Sequence, residues 1–351
     1  SRKLWCSHTR CYLHGREPGN AHSQNFCTHA MTAQLAEPLG APLWPIVAVV
    51  GATGTGKSDF ALDLVEALAT QGHRAEIINA DAMQLYQGMD IGTAKLPSDQ
   101  RRGIPHHLFD VWGLRKEASV AEYQSLARAT IGSLQSSGVI PLLVGGSGLY
   151  VSSVIYEFEF PGTDPALRER LENRLEVEGR EALVRELAEQ DPLAAVAIDS
   201  RNSRRLIRAL EVVMLTGKPF GAGLDAQRHR WQENLVVLGL HSERDALTPR
   251  LDDRVEGMWR QGLVEEARLL VSEGLREGVT ASKAIGYHQA LAILDGAMSE
   301  SEAIENTQAL TRRYARRQVS WFRRDDSITW LGSKDDRRVT DAASLVLSAL
   351  A

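Results

Sequence analysis

Residues 46–58 read IVAVVGATGTGKS, an apolar run that stops at a glycine and passes into the pattern G-x-x-x-x-G-K-[ST]. The continuous apolar half suits a strand covered on both faces, as in a parallel sheet. Phe60, Leu62, Leu64, Val65 and Leu68 then supply the apolar side of a helix from Lys57 to about Ala69. Between strand and helix, Gly51, Ala52, Thr53, Gly54, Thr55, Gly56, Lys57 and Ser58 make a phosphate cradle. Its glycines let successive N–H groups turn inward, where they and the helix N-terminus meet anionic oxygens. Lys57 adds a mobile point charge, and the Ser58 hydroxyl is the expected Mg²⁺ ligand. A di- or triphosphate is the expected guest.

Outward from the cradle, Ala75–Asn79 and Val139–Val144 read as further strands, with a helix from Ser119 to about Ser136 between them. Strands alternating with helices predict an α/β protein, a P-loop NTPase-like parallel sheet flanked by helices. After Pro161 the texture changes. Residues 164–218 are nearly all helix formers with dense alternating charge, which predicts a small all-helical insertion. A strand returns around Asn234–Leu240. Helices follow at about 246–274, 282–294 and 300–324, then a strand at Ile328–Leu331 and a terminal helix. The expected organisation is a disordered leader over 1–40 and a first part of the core over 41–160. A helical insertion domain over 161–225 and a second, mostly helical part of the core over 226–351 complete it.

The chain of 351 residues is 43% hydrophobic and 24% charged, which excludes wholesale disorder and collagen-like repeats. No apolar run approaches the ~20 residues of a membrane-spanning helix, and residues 1–30 lack the apolar centre of a signal peptide. A cytoplasmic protein with no membrane partner is expected. The formal net charge of −5 means that any polyanion must be met by a local basic patch. Cys6, Cys11 and Cys27 all precede Met31, together with His8, His14, His22 and His29. This crowding fits a zinc-binding extension or an unstructured leader ahead of a start at Met31. The leader is favoured, because the spacing is not that of a zinc finger. Beyond Met31 there is no cysteine, so thiol nucleophiles and cysteine-based metal sites drop out of the main body.

Phosphate transfer needs a second acidic residue near the cradle. Asp81 ends the second strand, where open parallel sheets face their ligand crevice. Its competing reading is a turn or helix-capping residue. The adjacent His106 and His107 point differently in strand or helix, and structural roles are expected for both.

Beyond Asp81 the chain runs DAMQLYQGMDIGTAK (81–95), IPHHLFDV (104–111) and PLLVGGSGLY (141–150). These are followed by DP (191–192), NSRRLIRALEV (202–212), LTGKPF (215–220), RLDDRVEGM (250–258), KAIGYHQ (283–289) and TRRYARRQVSWFRR (311–324). With the cradle upstream, their order and number resemble the bacterial tRNA dimethylallyltransferases, over roughly residues 44–332. Departures are mild: Ser147 stands where the family usually has threonine, and Lys283 where it often has arginine.

The resemblance implies transfer of a dimethylallyl group from its diphosphate to the exocyclic amine of the adenosine 3′-adjacent to the anticodon, in a monomeric enzyme. The cradle would then bind the leaving diphosphate, with Lys57, Mg²⁺ on Ser58, and Arg254 favouring its charge. Asp81 would be the general base, or an indirect Mg²⁺ ligand; both stay open. The resemblance also places Met83, Gln84, Leu85, Tyr86, Ser147, Arg168, Asn202, Arg204, Arg205, Lys283, Gly286 and His288 along the tRNA path, with Tyr86 and His288 as stacking candidates. Arg312, Arg313, Arg316, Arg317, Arg323 and Arg324 lie within thirteen residues that contain no acid. Phosphate contact is expected of this stripe, chiefly through Arg312, Arg316 and Arg317, and it points to an anticodon stem-loop as partner. The same chemistry on AMP, ADP or ATP is the nearest rival. A small-molecule kinase is more distant, since it gives no reason for segment 81–95, and a non-catalytic RNA-binding module would leave function intact in Asp81→Ala.

Overall fold

The computed structural model describes residues 44–220 and 229–351. The cysteine-rich leader lies outside the described residues. So does the join between the helical insert and the strand that follows it.

Strand β1 (Ile46–Gly51) is buried at every position, as its unbroken apolar run requires. The other strands are β2 (Ala75–Asn79), β3 (His106–His107), β4 (Ile140–Gly145), β5 (Leu235–His241) and β6 (Thr329–Gly332). They form one sheet in the order β3-β2-β4-β1-β5-β6, each pair parallel, with Val47 opposite Leu142 and Val236. Because β1 sits between β4 and β5, the strand order reverses beside it, and a crevice opens at its carboxyl end.

Helix α1 (Lys57–Thr70) covers one face, where Val47, Val49, Phe60, Leu64, Leu68 and Leu142 form a core. The other face carries α2 (Val120–Ser136) and α3 (Gly148–Ile155), with Ala48, Val50, Ile78, Tyr123, Ile131 and Val154 buried there. Ser119 caps α2 by accepting from the Glu122 amide. The two-residue β3 was not foreseen. It exists because His107 Nε2 lies 2.7 Å from the Glu76 carboxylate across the β2–β3 pair, a structural use of a histidine that tempts a metal reading.

Helices α4 (Pro165–Glu178), α5 (Arg180–Gln190), α6 (Pro192–Ala197) and α7 (Ser203–Thr216) gather around a separate apolar cluster of Leu167, Leu171, Leu183, Leu187, Leu206 and Leu210. Within it Glu211 is fully buried, held by Arg168 at 3.0 Å, Arg208 at 2.8 Å and the Asp164 amide at 3.0 Å. Burial pushes its carboxyl up, but the Arg208 and Arg168 guanidiniums hold it below the usual carboxylate value. That stabilisation is present above the ordinary carboxyl range and is lost as pH falls through the lowered value. Glu211→Ala leaves two arginines facing each other without their counter-charge. It is expected to cost about 3 kcal/mol, read as faster amide exchange across α4–α7 with the sheet unchanged.

The remaining helices are α8 (Arg244–Arg260), α9 (Leu263–Ser272), α10 (Tyr287–Leu294), α11 (Glu300–Phe322) and α12 (Arg338–Ser348). The single helix expected over 246–274 is two. Gly262, at φ 98°, breaks it, a conformation that L side chains rarely adopt.

Candidate active site

The cradle closes where β1 hands over to α1. Gly56 precedes the helix at φ 85° with no side chain to cap it, so the first-turn N–H groups are left for a ligand. Gly54 is fixed by packing as well as by φ 78°, since a Cβ there would stand 2.7 Å from Leu251 Cδ2. Lys57 Nζ donates to the Ala52 carbonyl at 2.8 Å. The Thr53 amide donates to Gln318 Oε1 at 2.9 Å, and Gln318 Nε2 donates to the Gly146 carbonyl at 2.8 Å. Arg254 Nη1 donates to Thr53 Oγ1 at 3.1 Å, bringing α8 onto the same loop. Gln318 of α11 thus ties the ends of β1 and β4 together, a role not assigned to it in the sequence although it lies within the quoted segment 311–324.

Asp81 follows β2. Its amide donates to Asn79 Oδ1 at 2.9 Å, and its Oδ1 accepts from the Met83 amide at 3.0 Å. Oδ2 makes no hydrogen bond among the described residues. The turn reading of Asp81 is therefore half right: one carboxylate oxygen shapes the turn and the other faces the crevice. Lys57, Ser58, Asp81, Arg254 and Gln318 share one cavity of about 290 Å³ with the cradle glycines. Tyr123, Tyr150 and Tyr314 stand around Asp81. Burial, with the Asp81 charge adding to it, raises all three hydroxyls, Tyr314 to about 12. They stay protonated at neutral pH.

Lys57 is the titrating cation of the site. Burial lowers it to about 8, with the Asp81 charge opposing and Arg254 assisting. Below that value the free cradle carries the lysine charge; above it, the charge is lost. The kcat/KM for a diphosphate substrate is therefore expected to fall above about pH 8. Bound diphosphate favours the protonated lysine, so the same limb in kcat belongs at higher pH. A pH–rate profile in both parameters checks the separation.

Segment 81–95 forms one wall, and residues far away in sequence hold it. Lys95 is buried and bonds Asp90 at 2.6 Å, Asp110 at 2.5 Å and the Tyr86 carbonyl at 3.0 Å. The Glu266 carboxylate accepts from the Ile91 amide at 2.9 Å and from the Tyr287 hydroxyl at 2.5 Å. A Cβ on Gly92 would meet the Tyr287 ring at 2.4 Å, so only glycine fits. Ala94, at φ 48°, lines the cavity in a strained conformation that this clamp sustains. Lys95 and Glu266 were missed as site residues, and Tyr287 was placed only within the RNA-path stretch 283–289, not as part of this clamp. Only the quoted motifs around Lys95 and Tyr287 hinted at them, and Glu266 gave no signal.

The residues expected along the RNA path divide. Met83, Gln84 and Ser147 lie beside the crevice; Ser147 Oγ accepts from the Ala82 amide at 3.1 Å and lies 3.4 Å from the Tyr314 hydroxyl. Leu85 and Tyr86 are corrections: both are fully buried. Tyr86 stacks edge-on against Trp112 and donates to the Lys116 carbonyl, so it cannot stack on a base. Gly286 is buried too, at the start of α10, while Lys283 and His288 are exposed around it. Asn202 caps α7 by accepting from the Arg205 amide. Arg168 is engaged by Glu211, and Arg204 pairs with Glu117 at 2.5 Å, joining insert to core; Arg205 is exposed. On α11, Arg312 pairs with Asp252 at 2.5 Å, and Arg316 borders a cavity on the α8 side. Arg317 lies over the Tyr314 ring at 5.9 Å, toward Ser147. The arginine stripe therefore straddles the helix instead of facing one way.

Residues 84–325 match the family model described as IPP transferase. A tRNA dimethylallyltransferase of Clavibacter sepedonicus is 56% identical over 305 residues, spanning 87% of this chain and 99% of the relative. One from Thermobifida fusca (strain YX) is 53% identical over 82% of this chain and 89% of its own length. Among solved structures, the tRNA isopentenylpyrophosphate transferase of Bacillus halodurans has a TM-score of 0.63 at 38% identity, covering 88% of this chain and 97% of that one. A eukaryotic dimethylallyltransferase acting on tRNA has a TM-score of 0.69 at 26% identity, over 86% of this chain and 76% of its own.

Proposed function

The chain belongs to the IPP transferase family, the tRNA dimethylallyltransferases, and from that premise we propose the reaction its site performs. It transfers a dimethylallyl group from dimethylallyl diphosphate to the exocyclic amine of the tRNA adenosine 3′-adjacent to the anticodon, releasing diphosphate. The observation that carries this reading is the pairing of opposites in one cavity: an anion cradle with Lys57 and Arg254, and Asp81 with one unbonded carboxylate oxygen.

Adenine's amine is a weak nucleophile, so the barrier depends on departure of diphosphate. As the carbon–oxygen bond breaks, its electron pair goes to the diphosphate oxygen, and the cradle amides, Lys57 and Arg254 stabilise that charge. As the carbon–nitrogen bond forms, the amine proton passes to Asp81 Oδ2. The adenine leaves its stack to enter, and the two bound substrates together keep water from the allylic cation.

Mg²⁺ fits the donor set. Among the described residues no three His, Cys, Asp or Glu side chains gather as a metal nest. Ser58, with Asp81 in the same cavity, suits an ion held mostly by substrate phosphates and water. When bound, it would neutralise leaving-group charge.

The partner is an anticodon stem-loop, met by Arg313 and Arg317 on the Tyr314 side of α11 and by the insert, which binds the stem. No helix among the described residues is long and apolar enough to cross a membrane. The enzyme acts as a monomer in the cytoplasm, where its RNA substrate is. Replacing Arg313 and Arg317 together by alanine is expected to weaken RNA binding and lower its log–log salt slope by about 1.4, measured by filter binding from low to high salt.

The deciding experiment offers dimethylallyl diphosphate and Mg²⁺ with either an anticodon stem-loop or AMP, and reads the added prenyl mass by spectrometry. Gain on the RNA alone supports the proposal. Gain on AMP moves the chain to the mononucleotide enzymes, and ATP consumption without prenylation overturns the chemistry.

A further inference from the structure

A cavity larger than the one just described lies behind the cradle. Leu247 and Leu251 of α8 touch the cradle at Gly54, and with Ala52, Ala315 and Val319 they form a small apolar cluster behind it. The same two leucines wall a second cavity of about 770 Å³, between the first half of α8 and the last half of α11, over the ends of β5 and β6. That volume lies in the range of small-molecule sites. Its floor is aliphatic, from Leu240, Leu247, Leu251 and Val319, with the Trp330 indole and the exposed His241 imidazole at its edge. Around the floor stand Arg244, Arg316 and Arg323, all exposed. None of the three has an ion-pair partner among the described residues. Glu243 is the single acid in the lining.

An apolar floor under unpaired guanidiniums is complementary to a molecule with a greasy body and an anionic head. The floor gains only if carbon displaces its water. The guanidiniums favour a planar or tetrahedral oxyanion that accepts two hydrogen bonds at once. An RNA backbone would use the arginines and leave the floor wet. A nucleobase would stack on Trp330 or His241 and leave the aliphatic floor uncovered. We propose that this groove is a second ligand site, for a soluble alkyl or prenyl phosphate whose chain is longer than a dimethylallyl group. The groove meets the cradle only at Ala52 and Thr55 and contains none of Lys57, Ser58, Asp81 and Arg254, so the proposal stands apart from the transfer reaction.

The test titrates decyl phosphate, below its micelle concentration, into the full-length protein by calorimetry, with inorganic diphosphate and Mg²⁺ saturating the cradle. One molecule is expected to bind per chain, with butyl phosphate at least about tenfold weaker because its body leaves the floor uncovered. Arg244→Glu with Arg323→Glu reverses the charge at exposed positions and is expected to weaken decyl phosphate by about tenfold or more. Ser320→Trp, also at an exposed lining position, fills the groove and is expected to abolish binding. Three results would overturn the proposal: heat that disappears when diphosphate is added, many weak molecules per chain, or binding unmoved by both variants. A fourth is no decyl phosphate binding together with weakened stem-loop binding in the Arg244/Arg323 variant, which makes the groove an RNA contact.

Discussion

Replacing Asp81 by asparagine is expected to lower turnover on tRNA by about a thousandfold, the scale of a lost general base. The substitution is sparing of structure. Asparagine keeps an Oδ1 that can accept from the Met83 amide, so the turn after β2 survives and only the proton acceptor at Oδ2 goes. Diphosphate affinity at neutral pH is expected to change little, since a negative charge near the cradle has been removed, not added. The variant has a second signature. The Asp81 charge supports protonation of Lys57, so without it the lysine falls below its value of about 8 and the basic limb of kcat/KM moves to lower pH. Single-turnover rates across pH read both effects. Normal turnover would remove Asp81 from the chemistry, and an unmoved limb would separate it from Lys57.

Arg254→Ala carries the next largest expected loss, about a hundredfold or more in turnover, because the proposed donor to the leaving diphosphate disappears. The guanidinium is half-buried, and its bond to Thr53 Oγ1 holds the charge in place before substrate arrives; burial lowers its pKa and the Asp81 charge opposes that shift. Arg254→Lys is expected to recover only part of the loss, as a single ammonium cannot keep the bond to Thr53 Oγ1 and reach the ligand with a second donor. The pH signature has the opposite sign to that of Asp81→Asn. Arg254 depresses Lys57, so its removal raises the lysine and shifts the basic limb upward. Because both residues act on one lysine, the double variant is expected to be non-additive in rate and intermediate in limb position.

The cradle and the sheet around it were legible because local patterning dictates them. An apolar run buried on both faces, a glycine loop and an amphipathic helix leave few alternatives at β1, the P-loop and α1. The same reading ran past the break at Gly262, although glycine is the residue that such a turn requires. A continuous helical periodicity on either side outweighed it. The histidine pair of β3 was too short to carry any period at all.

Side-chain roles split along a different line. Asp81 could be placed from its position after a strand, because parallel sheets turn those ends toward one crevice. Tyr86 could not be told from a base-stacking aromatic in the linear chain, yet it is sealed against Trp112. The linear chain sets Arg168 and Arg204 among charges of both signs, and only the fold pairs them with Glu211 and Glu117. An arginine stripe reads as one surface on a helical wheel. Packing of α11 between α8 and the Ser147 side divides it into two faces with different neighbours.

The sequence by itself determined the α/β class, the anion cradle and the family, because local patterning and the order of short motifs carry them. Only the tertiary structure decided which charges are free to meet a ligand, that Glu266 and Tyr287 clamp the loop beside Asp81, and that a second groove lies behind Gly54. A charge is free or paired according to what long-range packing brings against it, and that partner is nowhere near it in the chain.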